Sequence, residues 1–115
     1  MILIIREKAT PEQLKAMLER HSNINYVKVA VDIEQGILAG GGDMHSDCKE
    51  ILLEHECGQH NIWGAGWHWD TREVKFDSLI DIRPKQGNRG IELTDPNLRK
   101  RIAEIILEFF EGVQP

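Results

Sequence analysis

Between Tyr26 and Glu34 the chain alternates without a break: Val27, Val29, Val31 and Ile33 fall on one side, and Lys28, Ala30, Asp32 and Glu34 on the other. A period of two is the pattern of a half-buried β-strand and does not fit the apolar stripe of a helix. Gln35-Gly36 then turns the chain back into Ile37-Leu38-Ala39, so the whole segment reads as a β-hairpin. A lone hairpin is only marginally stable, so the rest of the chain has to supply further strands or a covering helix.

The flanking segments supply both. Residues 1–6 form an apolar run of strand length, expected near the centre of a sheet. Thr10-Pro11-Glu12-Gln13 offers an N-cap, a proline at the first helical position and a capping-box glutamine. Leu14, Met17 and Leu18 follow at helical spacing, predicting a first helix to about Arg20. A second helix is predicted from near Ser46 to Gly58, with Cys48, Ile51, Leu52 and His55 on one face. Asn61 to Trp69 reads as a strand that sets Trp63, Ala65, Trp67 and Trp69 against Ile62, Gly64, Gly66 and His68. Its tryptophans are either core or a stacking surface for bases or sugars, and core is the commoner fate of such a stripe. Glu73–Ile82 is expected as a fifth strand, with Val74, Phe76, Ile80 and Ile82 pointing one way. Thr94-Asp95-Pro96 caps a third helix, striped by Leu98, Ile102, Ile105, Ile106 and Phe109 and ended by Gly112.

The order β-α-β-β-α-β-β-α predicts an α+β fold. We expect a mainly antiparallel five-stranded sheet with helices on one face, its first six elements a ferredoxin-like core extended by an extra strand and a C-terminal helix. Ferredoxin-like order would set the third strand parallel to the first and the fifth in the direction of the third. The loops after Gly40 and after Ile82 would then leave the same edge and bound one cleft. Val29, Val31, Phe76, Ile80, Ile102, Ile106 and Phe109 are expected to share a core.

A chain of 115 residues, 41% hydrophobic and 29% charged, fits a single globular domain over 1–115. Its net charge of −5 argues against general nucleic-acid binding, which needs a concentrated basic surface. The longest apolar run, Met1 to Ile5, is far short of the roughly 20 residues that span a bilayer and lacks signal-peptide features. A cytoplasmic protein without a membrane partner is the expectation. Cys48 and Cys57, nine apart on the predicted second helix, would be separated by about 13.5 Å of rise. That is too far for a disulfide, so both are read as reduced thiols.

Two polar runs carry the candidate chemistry. In Gly40-Gly41-Gly42-Asp43-Met44-His45-Ser46-Asp47, the side chains of Asp43, His45 and Asp47 are of the types that hold a divalent metal or act as general acids and bases. The same residues also suit the start of a helix as caps. The glycine triplet lacks both phosphate-loop patterns. Cys57-x-x-His60, with Cys48, His55 and His45 nearby, lacks the paired short spacings of structural zinc. In Asp81-Ile82-Arg83-Pro84-Lys85-Gln86-Gly87-Asn88-Arg89-Gly90, Arg83, Asn88 and Arg89 suit recognition of a carboxylate or phosphate. The alternative is that Arg83 pairs with Asp43, Asp47 or Asp81 and braces the loops.

From Ala39 onward the chain resembles an uncharacterised bacterial family, a small domain of unknown function. The resemblance lies in Gly42–Asp47, in Trp63-Gly64, in the run Ser78–Arg89 and in Asp95-Pro96. It implies that the two polar loops belong to one conformational unit. Cys48, Cys57, His55 and His60 stand outside the family's pattern, and Gly90 stands where the family tends to have a serine.

The leading functional expectation is a binding or interaction module for a small anion or a protein partner, using His45, Asp47, Arg83, Asn88 and Arg89. A metal-dependent hydrolase acting on a phosphate-containing substrate is the alternative, with Asp43, His45 and Asp47 holding a divalent ion. A homodimer built through an exposed strand edge or the Trp-bearing hairpin is the third reading. No cofactor is called for outside the metal of the hydrolase reading.

Overall fold

The computed structural model describes residues 2–18 and 25–115. The expectations for Met1 and for a first helix reaching Arg20 lie outside the described residues. The elements are β1 (Leu3–Ile5), α1 (Pro11–Leu18), β2 (Tyr26–Asp32), β3 (Ile37–Gly40), α2 (His45–Glu54), β4 (Ile62–His68), β5 (Glu73–Lys75) and α3 (Pro96–Phe110). Short 3-10 turns lie at Gln59–Asn61, Leu79–Asp81 and Pro84–Gln86. The helix starts follow their capping residues. Thr10 and Gln13 exchange the two bonds of a capping box, and the Asp95 carboxylate accepts from the amides of Asn97 and Leu98.

The five strands form one antiparallel sheet in the order β1-β3-β2-β4-β5. The α+β class and element order agree with the sequence reading, but the internal order is not ferredoxin-like. A ferredoxin-like core would make β3 parallel to β1 and set β4 beside β1. Instead β3 runs antiparallel to β1, and β4 lies against β2. Ladder length explains the choice. β2 and β4 pair over seven residues, from Tyr26↔His68 to Asp32↔Ile62, whereas β1 has only three residues to offer. The longer ladder pairs more backbone groups. β1 is accordingly an edge strand, not a central one. Three successive antiparallel pairings separate β3 from β5, so these strands point in opposite directions.

The helices also divide differently from the expectation of one covered face. α1 and α3 cover one face, packing Leu14, Met17, Ile102, Ile106 and Phe110 on Val27, Val29, Val31, Trp63 and Trp67. α2 covers the other, with Cys48 and Leu52 against Ala30, Ala39 and Ile62. The second face needs a cover because β2, β3 and β4 all place apolar residues there as well. Of the expected core, Val29, Val31, Ile102, Ile106 and Phe109 are buried together, Phe76 packs at their margin, and Ile80 joins the opposite cluster beside α2. Trp63 and Trp67 are core residues, with Trp67 stacked on Phe110 at 6.3 Å between centroids. Ile106→Val, which removes one methyl from the fully buried α3 stripe, is expected to cost about 0.5–1.5 kcal/mol in a urea melt; no change in midpoint would mean that α3 is loosely docked.

Two boundaries move for local reasons. α2 ends at Glu54, four residues before Gly58, because Glu56 takes a left-handed backbone (φ 63°) and turns the chain. Cys57 therefore lies beyond the helix, and it and Cys48 are buried free thiols. β5 stops at Lys75 because Ser78 caps a turn, its hydroxyl oxygen accepting from the Ile80 amide at 3.3 Å. Residues 91–93 continue the pairing instead: Leu93 donates to the Phe76 carbonyl and Ser78 to that of Ile91, both at 2.8 Å. Ile82 is consequently exposed, contrary to its expected place on the strand. No described helix is long and apolar enough to cross a membrane.

Candidate functional site

Because β5 pairs only with Gly66–His68, the start of β4 has no strand beside it on that side. Side chains of the second polar run take that place. Asp81 Oδ1 accepts from the Gly64 amide at 2.7 Å. Arg83 donates through Nη2 to the Ile62 carbonyl, through Nη1 to that of Gln59 at 3.1 Å and through Nε to that of Ile80 at 3.0 Å. Its Cζ lies 4.3 Å from the Trp63 ring centroid. Asn88 is buried and fully engaged: its amide donates to the carbonyls of Asp81 and Gly90, and its oxygen accepts from the Thr94 amide and hydroxyl. Backbone bonds in both directions between Arg83 and Asn88 close the loop. The run thus builds an edge for β4 out of side chains. Asp81 is 0% exposed, and burial pushes its carboxyl up to about 7, against the opposing pull of the Gly64 amide and Arg83.

The first polar run is placed elsewhere. His45 opens α2, and its Nε2 lies 2.9 Å from the Ala65 carbonyl. Asp47 Oδ2 accepts from the Met44 amide at 3.2 Å, which is a capping role. The Lys28 ammonium donates to the Asp43 carbonyl at 2.9 Å, tying the loop to β2. Among the described residues no three His, Cys, Asp or Glu side chains gather as a metal-holding set, Asp43, His45 and Asp47 included. Nor does His45 meet Arg83. Their anchors on β4, Ala65 and Ile62, are three residues or about 10 Å apart along the strand, and the opposed directions of β3 and β5 remove the shared edge. Arg89 is exposed, with no partner among the described residues.

What does converge is a groove of 1350 Å3 over β4, walled by Tyr26 and Lys28 of β2, His45, His68, and the segments around 74–79 and 91–92. Two of its wall residues depend on glycines of β4 for their place. A Cβ at Gly66 would stand 1.9 Å from the Tyr26 hydroxyl, and one at Gly64 would stand 2.4 Å from Ser78 Oγ. Both side chains therefore lie directly across the bare strand. Tyr26 also meets His68, its direct cross-strand neighbour, at 4.6 Å between ring centroids. Gly66→Ala should push Tyr26 out of the groove and cost about 1–3 kcal/mol; an unchanged melt with unchanged Tyr26 ring resonances would contradict this placement.

The protonation states follow from the surroundings. A carbonyl only accepts, so His45 Nε2 carries the proton in its bond to Ala65. Burial holds the imidazole below its usual range, leaving it neutral at pH 7 with an unprotonated Nδ1. Burial, aided by the Asp77 charge, pushes the Tyr26 phenol up to about 12, so it stays a hydroxyl donor. The buried thiols are pushed up to about 11 for Cys48 and about 12 for Cys57, which makes them poor nucleophiles. Sequence reasoning missed Tyr26, His68, Asp77 and Ser78 as site residues. The one available signal was the pair of small residues, Gly64 and Gly66, on the face of β4 opposite the tryptophans, which marks a strand crossed closely by other groups.

Neither the curated proteins nor the solved structures contain a significant match to the chain. The family model for a protein of unknown function, DUF5674, matches residues 3–109, so the chain belongs to that family.

Proposed function

We propose that this chain is a ligand-binding module whose site is the groove over Gly64–Gly66. The observation that carries the reading is His45: its Nε2–H is fixed on the Ala65 carbonyl, and its Nδ1 has no hydrogen-bond partner among the described residues. A half-buried imidazole held in one tautomer beside two hydroxyl groups, those of Tyr26 and Ser78, gives one acceptor and two donors within a concave wall. That is the composition of a site for a small polar molecule. Leu79 and Ile91, which are exposed, add apolar contact at the rim.

The groove does not favour a simple anion. Of its cationic side chains, Lys75 pairs with Glu73 at 3.2 Å and Arg99 with Glu92 at 3.7 Å, which leaves Lys28, bonded to the Asp43 carbonyl, as the one cation outside an ion pair among the described residues of the groove. Asp77 adds a carboxylate. The hydrolase reading is weaker, because Asp43, His45 and Asp47 make separate contacts. A site for small anions at the basic loop would rest on Lys85 and Arg89, since Arg83 and Asn88 hold the loop together.

Amide chemical-shift mapping tests the assignment, using a set of small neutral amides and alcohols together with inorganic phosphate. The groove reading predicts that the amides and alcohols shift Tyr26, His45, His68, Ser78 and Leu79, and that His45→Ala weakens those shifts without a large loss of stability. Shifts confined to Lys85–Arg89, and seen with phosphate alone, would place the site on the basic loop instead.

A further inference from the structure

The charges facing the groove are arranged in a way that narrows the ligand further, granted that the groove is the binding site. Lys28 comes from β2 and Asp77 lies just past β5, with β4 between those strands. Two strand spacings, about 10 Å, separate the parent backbones, and Lys28 and Asp77 form no ion pair with each other. Both bear on His45 with opposite sign. The Lys28 ammonium, anchored by the Asp43 carbonyl at 2.9 Å, keeps two further donor protons. The carboxylate of Asp77 is exposed and enters no hydrogen bond or ion pair among the described residues. Of the other charged walls, Lys75 and Arg99 lie in ion pairs with glutamates at 3.2 and 3.7 Å, Arg99 keeping a buried Nε with no hydrogen-bond partner, and Asp70 accepts from the Thr71 amide at 2.9 Å. Outside those ion pairs and the Asp70 turn the groove offers one positive group, Lys28, one negative group, Asp77, and the neutral acceptor of His45. Beside these stand Leu79, 70% exposed, and Ile91, 48% exposed, large aliphatic side chains held in water at the rim.

We propose that the groove takes a zwitterion with an aliphatic flank, an apolar amino acid or a short apolar peptide. Its ammonium faces Asp77, its carboxylate faces Lys28, and its side chain covers Leu79 and Ile91. The Lys28 and Asp77 side chains reach in from backbones about 10 Å apart, a gap that a free amino acid or a short peptide can bridge.

The test is a shift titration of the full chain with four probes of similar shape: leucine, the dipeptide Leu-Leu, 3-methylbutylamine and 4-methylpentanoate. The zwitterions are expected to bind at the groove amides about tenfold tighter than either singly charged probe. Leu-Leu tighter than leucine identifies a peptide, and the reverse a free amino acid. Asp77→Asn should remove the advantage over the carboxylate probe, and Lys28→Gln the advantage over the amine, with melting temperatures held as the check on folding. If the amine or the carboxylate binds the groove as tightly as the zwitterions, the charge assignment is wrong while the groove stands. If none of the four moves the groove amides although neutral amides do, the zwitterion proposal alone fails. If nothing binds there at all, the site assignment fails with it.

Discussion

Arg83→Ala is expected to lower the free energy of unfolding by about 3–5 kcal/mol. Charge-assisted hydrogen bonds contribute about 1.5–3 kcal/mol each, and Arg83 makes several at once, to the carbonyls of Ile62, Gln59 and Ile80. Removing the guanidinium also exposes or orphans those carbonyls, one at the start of β4 and two in the neighbouring turns, and it takes away the contact with Trp63. Arg83→Lys should recover less than half of the loss, because an ammonium cannot donate in the three fixed directions of the planar fork. Urea melts of both variants measure this. A loss below about 1 kcal/mol in the alanine variant would place the bonds in the range of surface pairs and return Arg83 to the candidates for ligand contact.

Asp81→Asn is expected to change how stability depends on pH. The folded carboxyl titrates at about 7, against 3.8 for the ordinary side chain. Between those values the folded chain holds a proton that the unfolded chain has released, so stability falls as pH rises through the window. The loss begins near pH 4 and levels off above about 7. At 1.36 kcal/mol for each pH unit in the window, its full size is roughly 4 kcal/mol. Asparagine keeps an oxygen for the Gly64 amide and cannot ionise. The variant should therefore gain on wild type, by a few kcal/mol, between pH 4 and pH 8. Parallel stability profiles for the two proteins would mean that water or Arg83 already neutralises the carboxylate.

The two polar runs show where sequence reasoning reached and where it stopped. Signals that act within a few residues were legible: the Thr10–Gln13 box, the Asp95-Pro96 cap, the alternation of β2 and the hairpin after it. Strand order was not, because the pairing of β2 with β4 is decided by matching two ladders 30 or more residues apart, and nothing local in either strand names its partner. The end of β5 was misread for a related reason. Val74, Phe76, Ile80 and Ile82 look alike in sequence, but Ser78 turns the chain onto the side of α2 while residues 91–93 take up the pairing.

Site residues divided in the same way. Arg83 and Asn88 carry side chains suited to anion recognition, and only the bare stretch of β4 shows that the fold itself uses them. Asp81 was visible as a partner for Arg83, yet it faces the Gly64 amide. His45 was legible as a residue in excess of what a helix cap requires. Its companions Tyr26, His68, Asp77 and Ser78 were not, since they come from three separate segments that meet only once β4 is bare enough to let them cross.

The state of the His45 ring tests the account most directly. Long-range proton–nitrogen correlation spectra at pH 7 should show His45 as a neutral imidazole with Nε2 protonated and Nδ1 bare, titrating below the usual histidine value of about 6.5. On adding a groove ligand, the Nδ1 resonance should move while Nε2 stays bonded to Ala65. A proton on Nδ1 in the free protein, or an imidazolium at pH 7, would contradict the bond to Ala65 and remove the acceptor on which the proposed site depends.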